Sequence, residues 1–470
     1  MGLEIERKFL LANSEIVDFL QNEGVSFKRL EILQFYTKIS KNEEIRYRSE
    51  GEKFYKTVKT GFGLIREENE REISAAEFNE AKKRRIGDKI YKRRYLFRLN
   101  NNACNIDIFE ADFSGLCTFE IEFKGALEAR EFAPPKFLEN FIKRDVTNEP
   151  RYKNKQIALL GDPEVKFDAN FAVKTLSVCD VELNFPSNIS CKDGARTLLF
   201  SVLLKINAAK DAYLANGNGE ALHELRVNLR KTRSLIKIFS GVFDEKLCER
   251  FLRNFKILAD MTNQKRDLDV FYAFLKRQKR AVQIAEFIKD AGSLRGAQIA
   301  EAFKDESNVG FLRDWELFLR EDSDFYDGEL ANSDLKRVCA QRSRALLVGL
   351  QRKIRALNEE SANECFHQIR IELKRARYVF EYFAQIFSIY GLQKYASRLK
   401  SEQETFGALQ DRDVWLEILA KMPAEIRADK LKTKIFKQIF NLREEILAHK
   451  LKFVRQTRKI SRGLKVYYYI

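Results

Sequence analysis

At 470 residues, 45% hydrophobic and 12% aromatic, the chain is long enough for two or three domains with separate cores, and its composition excludes a disordered polyelectrolyte. No stretch approaches the roughly 18 consecutive apolar residues of a membrane span, and the opening Met1-Gly2-Leu3-Glu4-Ile5-Glu6-Arg7-Lys8 lacks the apolar core of a signal peptide, so a cytoplasmic protein is expected. The net charge of +16 is uneven, with 30 Lys+Arg against 27 Asp+Glu over residues 1–160 and 55 against 42 beyond, which favours a polyanionic partner without naming one.

The first 125 residues alternate polar and apolar side chains in short runs, the mark of half-buried strands. Strands are expected over Leu3–Leu10, Glu44–Ser49, Lys53–Lys59, Arg66–Ile73, Ile90–Leu99, Asn105–Phe109 and Cys117–Lys124, and helices over Ser14–Glu23 and Ala75–Arg85. Pro134, Pro135 and Pro150 punctuate the exit, and 161–190, with Pro163 and Pro186, reads as a linker. From Asp193 onward apolar residues recur at three- and four-residue spacing, with Pro423 the only proline, so 191–470 is expected to be all-α. The seven cysteines form no Cys-x-x-Cys pair, which argues for reduced thiols and against a zinc knuckle.

The polar faces of the strands are chemically selected. Side chains alternate across a strand, so Glu4, Glu6 and Lys8 share one face, as do Arg46 and Arg48, Arg66 with Glu68 and Glu70, Lys92 with Arg94, and Glu120, Glu122 and Lys124. If the apolar faces pack outward, the strands enclose acids beside bases. Carboxylates hold Mg²⁺ or Mn²⁺, and Arg and Lys neutralise a phosphate chain.

These residues resemble the CYTH domain, the triphosphate tunnel metalloenzyme family, whose signature is Glu4-x-Glu6-x-Lys8 here. The likeness continues through Gln34-Phe35-Tyr36, Ile45-Arg46-Tyr47-Arg48, Thr57-Val58-Lys59, Arg66-x-Glu68, Lys92-x-Arg94, Asp107 with Phe109, Glu120-x-Glu122 and Tyr152-x-Asn154, and covers about 1–160. It implies an eight-stranded antiparallel β-barrel tunnel that hydrolyses inorganic triphosphate or a similar short phosphate chain. Glu4, Glu6 and Lys8 would be catalytic, and Glu4, Glu6, Glu120 and Glu122 would hold Mg²⁺ or Mn²⁺. Lys8, Arg46, Arg48, Lys59, Arg66, Lys92 and Arg94 would bind substrate.

The helical part repeats itself. Leu222-His223-Glu224-Leu225-Arg226 through Arg233 parallels Phe366-His367-Gln368-Ile369-Arg370 through Arg377 at an offset that also carries Asp267-x-Asp269 to Asp411-x-Asp413. His223, Arg226, Arg230 and Arg233 line one helix stripe, and His367, Arg370, Lys374 and Arg377 another; such a stripe repels itself unless an anion lies on it. No second His or acid follows either histidine at metal-ligand spacing on its stripe. The pattern resembles the CHAD domain, a histidine-containing α-helical domain often placed after a CYTH domain. The likeness covers about 190–470, and implies two repeated four-helix bundles, about 191–325 and 326–470, that bind inorganic polyphosphate. Lys231 and Arg375 would flank the ligand, Asp267 and Asp411 would position arginines, and Gln410 stands where the first repeat has Arg266. An α+β multidomain hydrolase at 1–160, with a helical domain that recruits polyphosphate or places the protein on granules, is therefore expected. The alternative is a polyphosphate-binding or granule-targeting protein with little catalysis. Nucleic-acid binding lacks the interleaved aromatics or reading helix it would need.

Overall fold

The computed structural model describes the chain except residues 1–4, 41–42, 63–64, 180–182, 187, 279–280, 322, 324–325, 388–389, 424, 427 and 465–470, and except the side chains of 61–66 and 384–394. Two compact units divide at Pro186 and Ser187. Among the described residues no helix is long and apolar enough to cross a membrane.

The first unit runs β1 (Ile5–Leu11), α1 (Glu15–Asn22), β2 (Lys28–Ile39), β3 (Glu43–Glu50), β4 (Lys53–Phe62), β5 (Ile65–Ile73), α2 (Ala75–Lys83), β6 (Ile86–Leu99), β7 (Asn102–Glu110), β8 (Cys117–Phe123), α3 (Ala126–Glu131), α4 (Lys136–Glu139), β9 (Ile142–Asp145), α5 (Asn154–Leu160) and α6 (Ala169–Leu176). The last of these lies inside the segment expected as a linker. Its first turn is held by Asp168, whose carboxylate accepts from the amides of Asn170 and Phe171.

All nine strands join one antiparallel sheet in the order β5-β4-β3-β2-β6-β7-β8-β1-β9. The expected eight-stranded closed barrel is thereby corrected to an open sheet. The free edge of β1, which closure would give to β5, is taken instead by β9. At the other edge β5 runs Arg66-Glu67-Glu68-Asn69-Glu70-Arg71-Glu72, a charged edge of the kind that discourages further strand pairing. Neither β2 nor β9 was among the expected strands. The β6–β7 hairpin turns through Asn100 and Asn101, both at positive φ, where asparagine is tolerated better than most residues.

One face of the sheet is apolar. Phe9, Phe119, Ile121 and Phe123 bury against Ile16, Val17 and Leu20 of α1 and Leu138 of α4, while Phe35 and Tyr47 bury against Phe78 of α2. The opposite face carries the charges. Over it lies α5, brought close to β6 at Gly87, where a Cβ would fall 2.3 Å from the carbonyl oxygen of Ala158.

The second unit comprises α7 (Cys191–Asn216), α8 (Gly219–Ile238), α9 (Glu245–Met261), α10 (Asn263–Leu275), α11 (Val282–Lys304), α12 (Glu306–Arg320), α13 (Leu335–Ala356), α14 (Asn363–Phe387), α15 (Tyr390–Ala420) and α16 (Asp429–Gly463). Two separate four-helix bundles are not what forms. Among the described residues the first repeat has six α-helices and the second four, because breaks at Thr262 and Asp305 divide what α15 and α16 keep whole. The repeats also pack on each other, α8 on α14 and α10 on α15. They meet again where Ser190, the cap of α7, bridges Asp334, the cap of α13.

Candidate functional site

The polar face of the sheet lines a cavity of about 400 Å³. The sheet curves far enough that Glu6 and Lys8 of β1, Arg46 of β3, Lys59 of β4, Arg94 of β6 and Glu120 and Glu122 of β8 all border it. Antiparallel register sets the acids: Glu6 lies directly opposite Glu122, and Lys8 opposite Glu120.

Lys8 is buried, with its ammonium 2.7 Å from Glu120 and 2.7 Å from the carbonyl oxygen of Tyr152. Arg94 donates through Nε and Nη2 to the two oxygens of Asp107, each at 2.6 Å, and reaches Glu120 at 3.5 Å. Beneath it Lys92 donates to Asp107 at 2.7 Å. Burial opposes the charge of Asp107, but Lys92 and Arg94 overcome it and hold the carboxyl well below its usual range. Burial lowers the Lys92 ammonium to about 8 against the pull of Asp107. For Glu120 burial is likewise outweighed, chiefly by Lys8, and the net direction is down. Arg46 bonds Thr57 at 3.2 Å, Arg48 bonds Glu70 at 3.1 Å, and Lys59 meets Glu68 at 2.8 Å. The buried Nε of Arg46 finds no acceptor among the described residues.

The expected set is thus divided. Lys92 and Arg48 do not border the cavity; the first sits under its floor and the second is turned to Glu70 and Glu50. Glu4 lies outside the described residues, as does the side chain of Arg66. Sequence reasoning passed over Glu44, Asn105, Lys153 and Lys155, which also border the cavity. Strand parity could have found two of them, since Glu44 alternates with Arg46 and Asn105 with Asp107. Among the described residues no three His, Cys, Asp or Glu are grouped as a metal centre.

In the helical unit the two stripes meet where α8 crosses α14. Arg226 is buried and donates to Thr262 Oγ1 at 2.7 Å and Asn263 Oδ1 at 3.1 Å. Burial, with Arg230 beside it, lowers its pKa to about 9. Lys374 is pushed down to about 5 by burial and by Arg370, Arg230 and Arg266. Arg233 and Arg375 extend the basic strip towards Lys237. Lys231 and Arg377 turn to Glu381 and the ring of Tyr378. The Nε atoms of Arg226, Arg233, Arg370 and Arg375 are buried without an acceptor among the described residues. Of the stripe histidines, His223 is exposed, while His367 contacts Gln410 and borders a separate cavity with Asn363 and Asp413.

The chain is 32% identical over 160 residues to an inorganic triphosphatase of Nitrosomonas europaea, a match spanning 33% of this chain and 97% of that protein. Residues 198–420 match the CHAD domain family. This chain is a CYTH–CHAD protein. Among solved structures this CYTH–CHAD chain is similar to the inorganic triphosphatase NE1496, at 28% identity over 34% of this chain and 96% of that one with a TM-score of 0.28. It is also similar to the CHAD domain of Ricinus communis, at 19% identity over 61% and 95% of the two chains with a TM-score of 0.46.

Proposed function

We propose that the sheet cavity hydrolyses inorganic triphosphate or a similar short phosphate chain with Mg²⁺ or Mn²⁺, and that the α8–α14 strip binds polyphosphate. In this reading 1–160 is the hydrolytic domain, 161–190 the linker and 191–470 the polyphosphate-binding domain. The observation that carries it is the juxtaposition in one cavity of Glu6, Glu120 and Glu122 from β1 and β8 with Arg46, Lys59 and Arg94 from β3, β4 and β6, while Lys8 and Glu44 on those walls are paired with Glu120 and Lys155. The likeness to an inorganic triphosphatase supports the same reaction.

In this reading Glu6 and Glu122, directly opposite each other on paired strands, would hold a hard divalent cation through carboxylate oxygens, with Glu120, bound to Lys8, beside them. Such an ion supplies charge neutralisation and a more acidic bound water. Arg94, fixed in a fork by Asp107, presents a guanidinium of set direction to a phosphate oxygen. Arg46 and Lys59 give charge on the opposite wall, and burial keeps the Tyr36 hydroxyl protonated as a donor. Lys8, held by Glu120 and Tyr152, fixes the spacing between acids and substrate.

Phosphate release from triphosphate, long polyphosphate, ATP and thiamine triphosphate, each with and without Mg²⁺ or Mn²⁺, tests the reading. Metal-dependent release from triphosphate above the others is the expected result. No metal-dependent release from any of them would leave a polyphosphate-binding protein.

A further inference from the structure

The second repeat carries an apolar groove beside α16. Along α16, Phe436 and Phe440 are 62% and 61% exposed, and with Leu447 they form one stripe about three turns long. The stripe lines a cavity of about 1240 Å³ that continues into the cavity of about 420 Å³ beside His367. Large side chains held in water are costly, and an exposed apolar surface of this kind marks a contact surface more often than chance.

When α11 and α16 are aligned by their buried positions, Ile288 with Ile435, Gly292 with Ile439 and Ile299 with Ile446, the two exposed phenylalanines fall on Lys289 and Ser293. At these two positions the first repeat is polar, and what α11 exposes instead is Phe287 before them and Leu294 after them.

The rim has the opposite sign to the rest of the unit. Glu359, Glu360, Glu364, Glu417 and Glu444 border the two cavities, in a region of the chain with a large basic excess. The two cations present are turned into the wall. Arg443 donates to Asn363 Oδ1 at 2.7 Å and to the carbonyl oxygens of Glu359 and Ser361, and Lys450 donates to that of Leu357 at 2.6 Å.

We infer that this groove is a docking site for an amphipathic helix of a partner protein, with its apolar side on Phe436, Phe440 and Leu447 and its Lys or Arg residues on the acidic rim. A helix suits the surface better than a strand, because the groove is walled by α16 and the α13–α14 turn and offers no open sheet edge to extend. Polyphosphate on the basic strip and a basic helix here would use surfaces of opposite sign.

The test uses the full chain and two labelled synthetic peptides of equal length, one built of Leu and Lys at helical spacing and the other of Leu and Glu, with binding read by fluorescence anisotropy. The Leu/Lys peptide is expected to bind and the Leu/Glu peptide to fail. Phe440→Asp should weaken binding at least about tenfold, the change that loss of one buried aromatic brings. Because that substitution adds a carboxylate, it would strengthen a purely electrostatic attraction, so a loss reads the apolar contact. The pair Glu359→Lys and Glu360→Lys should weaken binding independently, and unchanged circular dichroism confirms the fold of each variant. The proposal is overturned by no binding of the Leu/Lys peptide, by equal binding of both peptides, or by binding indifferent to Phe440→Asp. It is equally overturned if the protein alone sediments as a dimer that Phe440→Asp dissociates, since a second copy would then occupy the groove.

Discussion

Arg266 of the first repeat donates to Asp411 of the second at 2.7 Å, and to its own neighbour Asp267 at 2.9 Å. Those two aspartates are repeat equivalents, so one guanidinium serves both copies of the position. The residue equivalent to Arg266 itself is Gln410, which turns to His367 instead. The ion pair therefore fastens the repeats together, and its asymmetry was written in the Arg-to-Gln difference. Replacing Arg266 by Gln should cost about 1–3 kcal/mol of stability, because two partly buried carboxylates would face each other without their cation. Urea unfolding followed by the helical circular-dichroism signal measures it.

In the sheet cavity, Glu6→Gln and Glu122→Gln should each lower metal-dependent triphosphate hydrolysis by roughly 10²-fold, since each removes one oxygen charge facing the other. Steady-state phosphate release measures the loss, and thermal melts of both variants check that the fold is kept.

Asp107→Asn tests the floor. Lys92 and Arg94 would lose the carboxylate that binds both, at a cost of about 3–5 kcal/mol for a buried pair broken on one side. In the wild type the folded carboxyl is held below its unfolded value, so its contribution is present above the ordinary carboxylate pKa and is lost as pH falls through the folded value. Acid unfolding of the first unit should consequently begin at higher pH in the variant.

Lys374 behaves in the opposite sense. Its folded pKa of about 5 lies far below that of the unfolded side chain, so between the two the unfolded chain holds the extra proton and stability rises with pH. Lys374→Met should flatten the fall in melting temperature between about pH 8 and about pH 6. Polyphosphate in the strip would favour the charged ammonium, so binding by the wild type should strengthen over the same interval and the variant should lose that gain. Titration at several pH values reads both.

Arg230→Gln should weaken binding of long polyphosphate about tenfold at low salt and reduce its dependence on salt, because one cation leaves the strip. Arg226 is a poor choice for this purpose. Its bonds to Thr262 and Asn263 make it part of the fold.

Strand parity made most of the sheet cavity legible, since Glu6, Arg46, Lys59, Arg94, Glu120 and Glu122 all proved to border it. Parity could not show that Lys92 is committed to Asp107, for that depends on which layer a neighbouring strand places beneath it. Closure was misjudged because β9 is four residues long and three of them are charged or polar, too short for any alternation to register. In the helical unit the repeat located α8 and α14 and their basic stripes. It could not show which neighbour each histidine meets, because helical spacing sets a direction but not the partner waiting there, which for His367 is Gln410.

The hydrogen bond from Lys8 to the carbonyl of Tyr152 spans 144 positions of the chain, and β1 itself waits for β8 before it has a partner. A nascent chain leaving the ribosome would therefore expose β1 until most of the first unit had emerged, with the acidic wall completed before Tyr152 arrives to anchor its lysine. Such dependence on distant partners makes for slow folding, and it assigns the final step to the segment around β9 and α5. Truncation just before Ile142 would then leave an unfinished sheet with a bare strand edge, prone to aggregate, rather than a smaller stable unit.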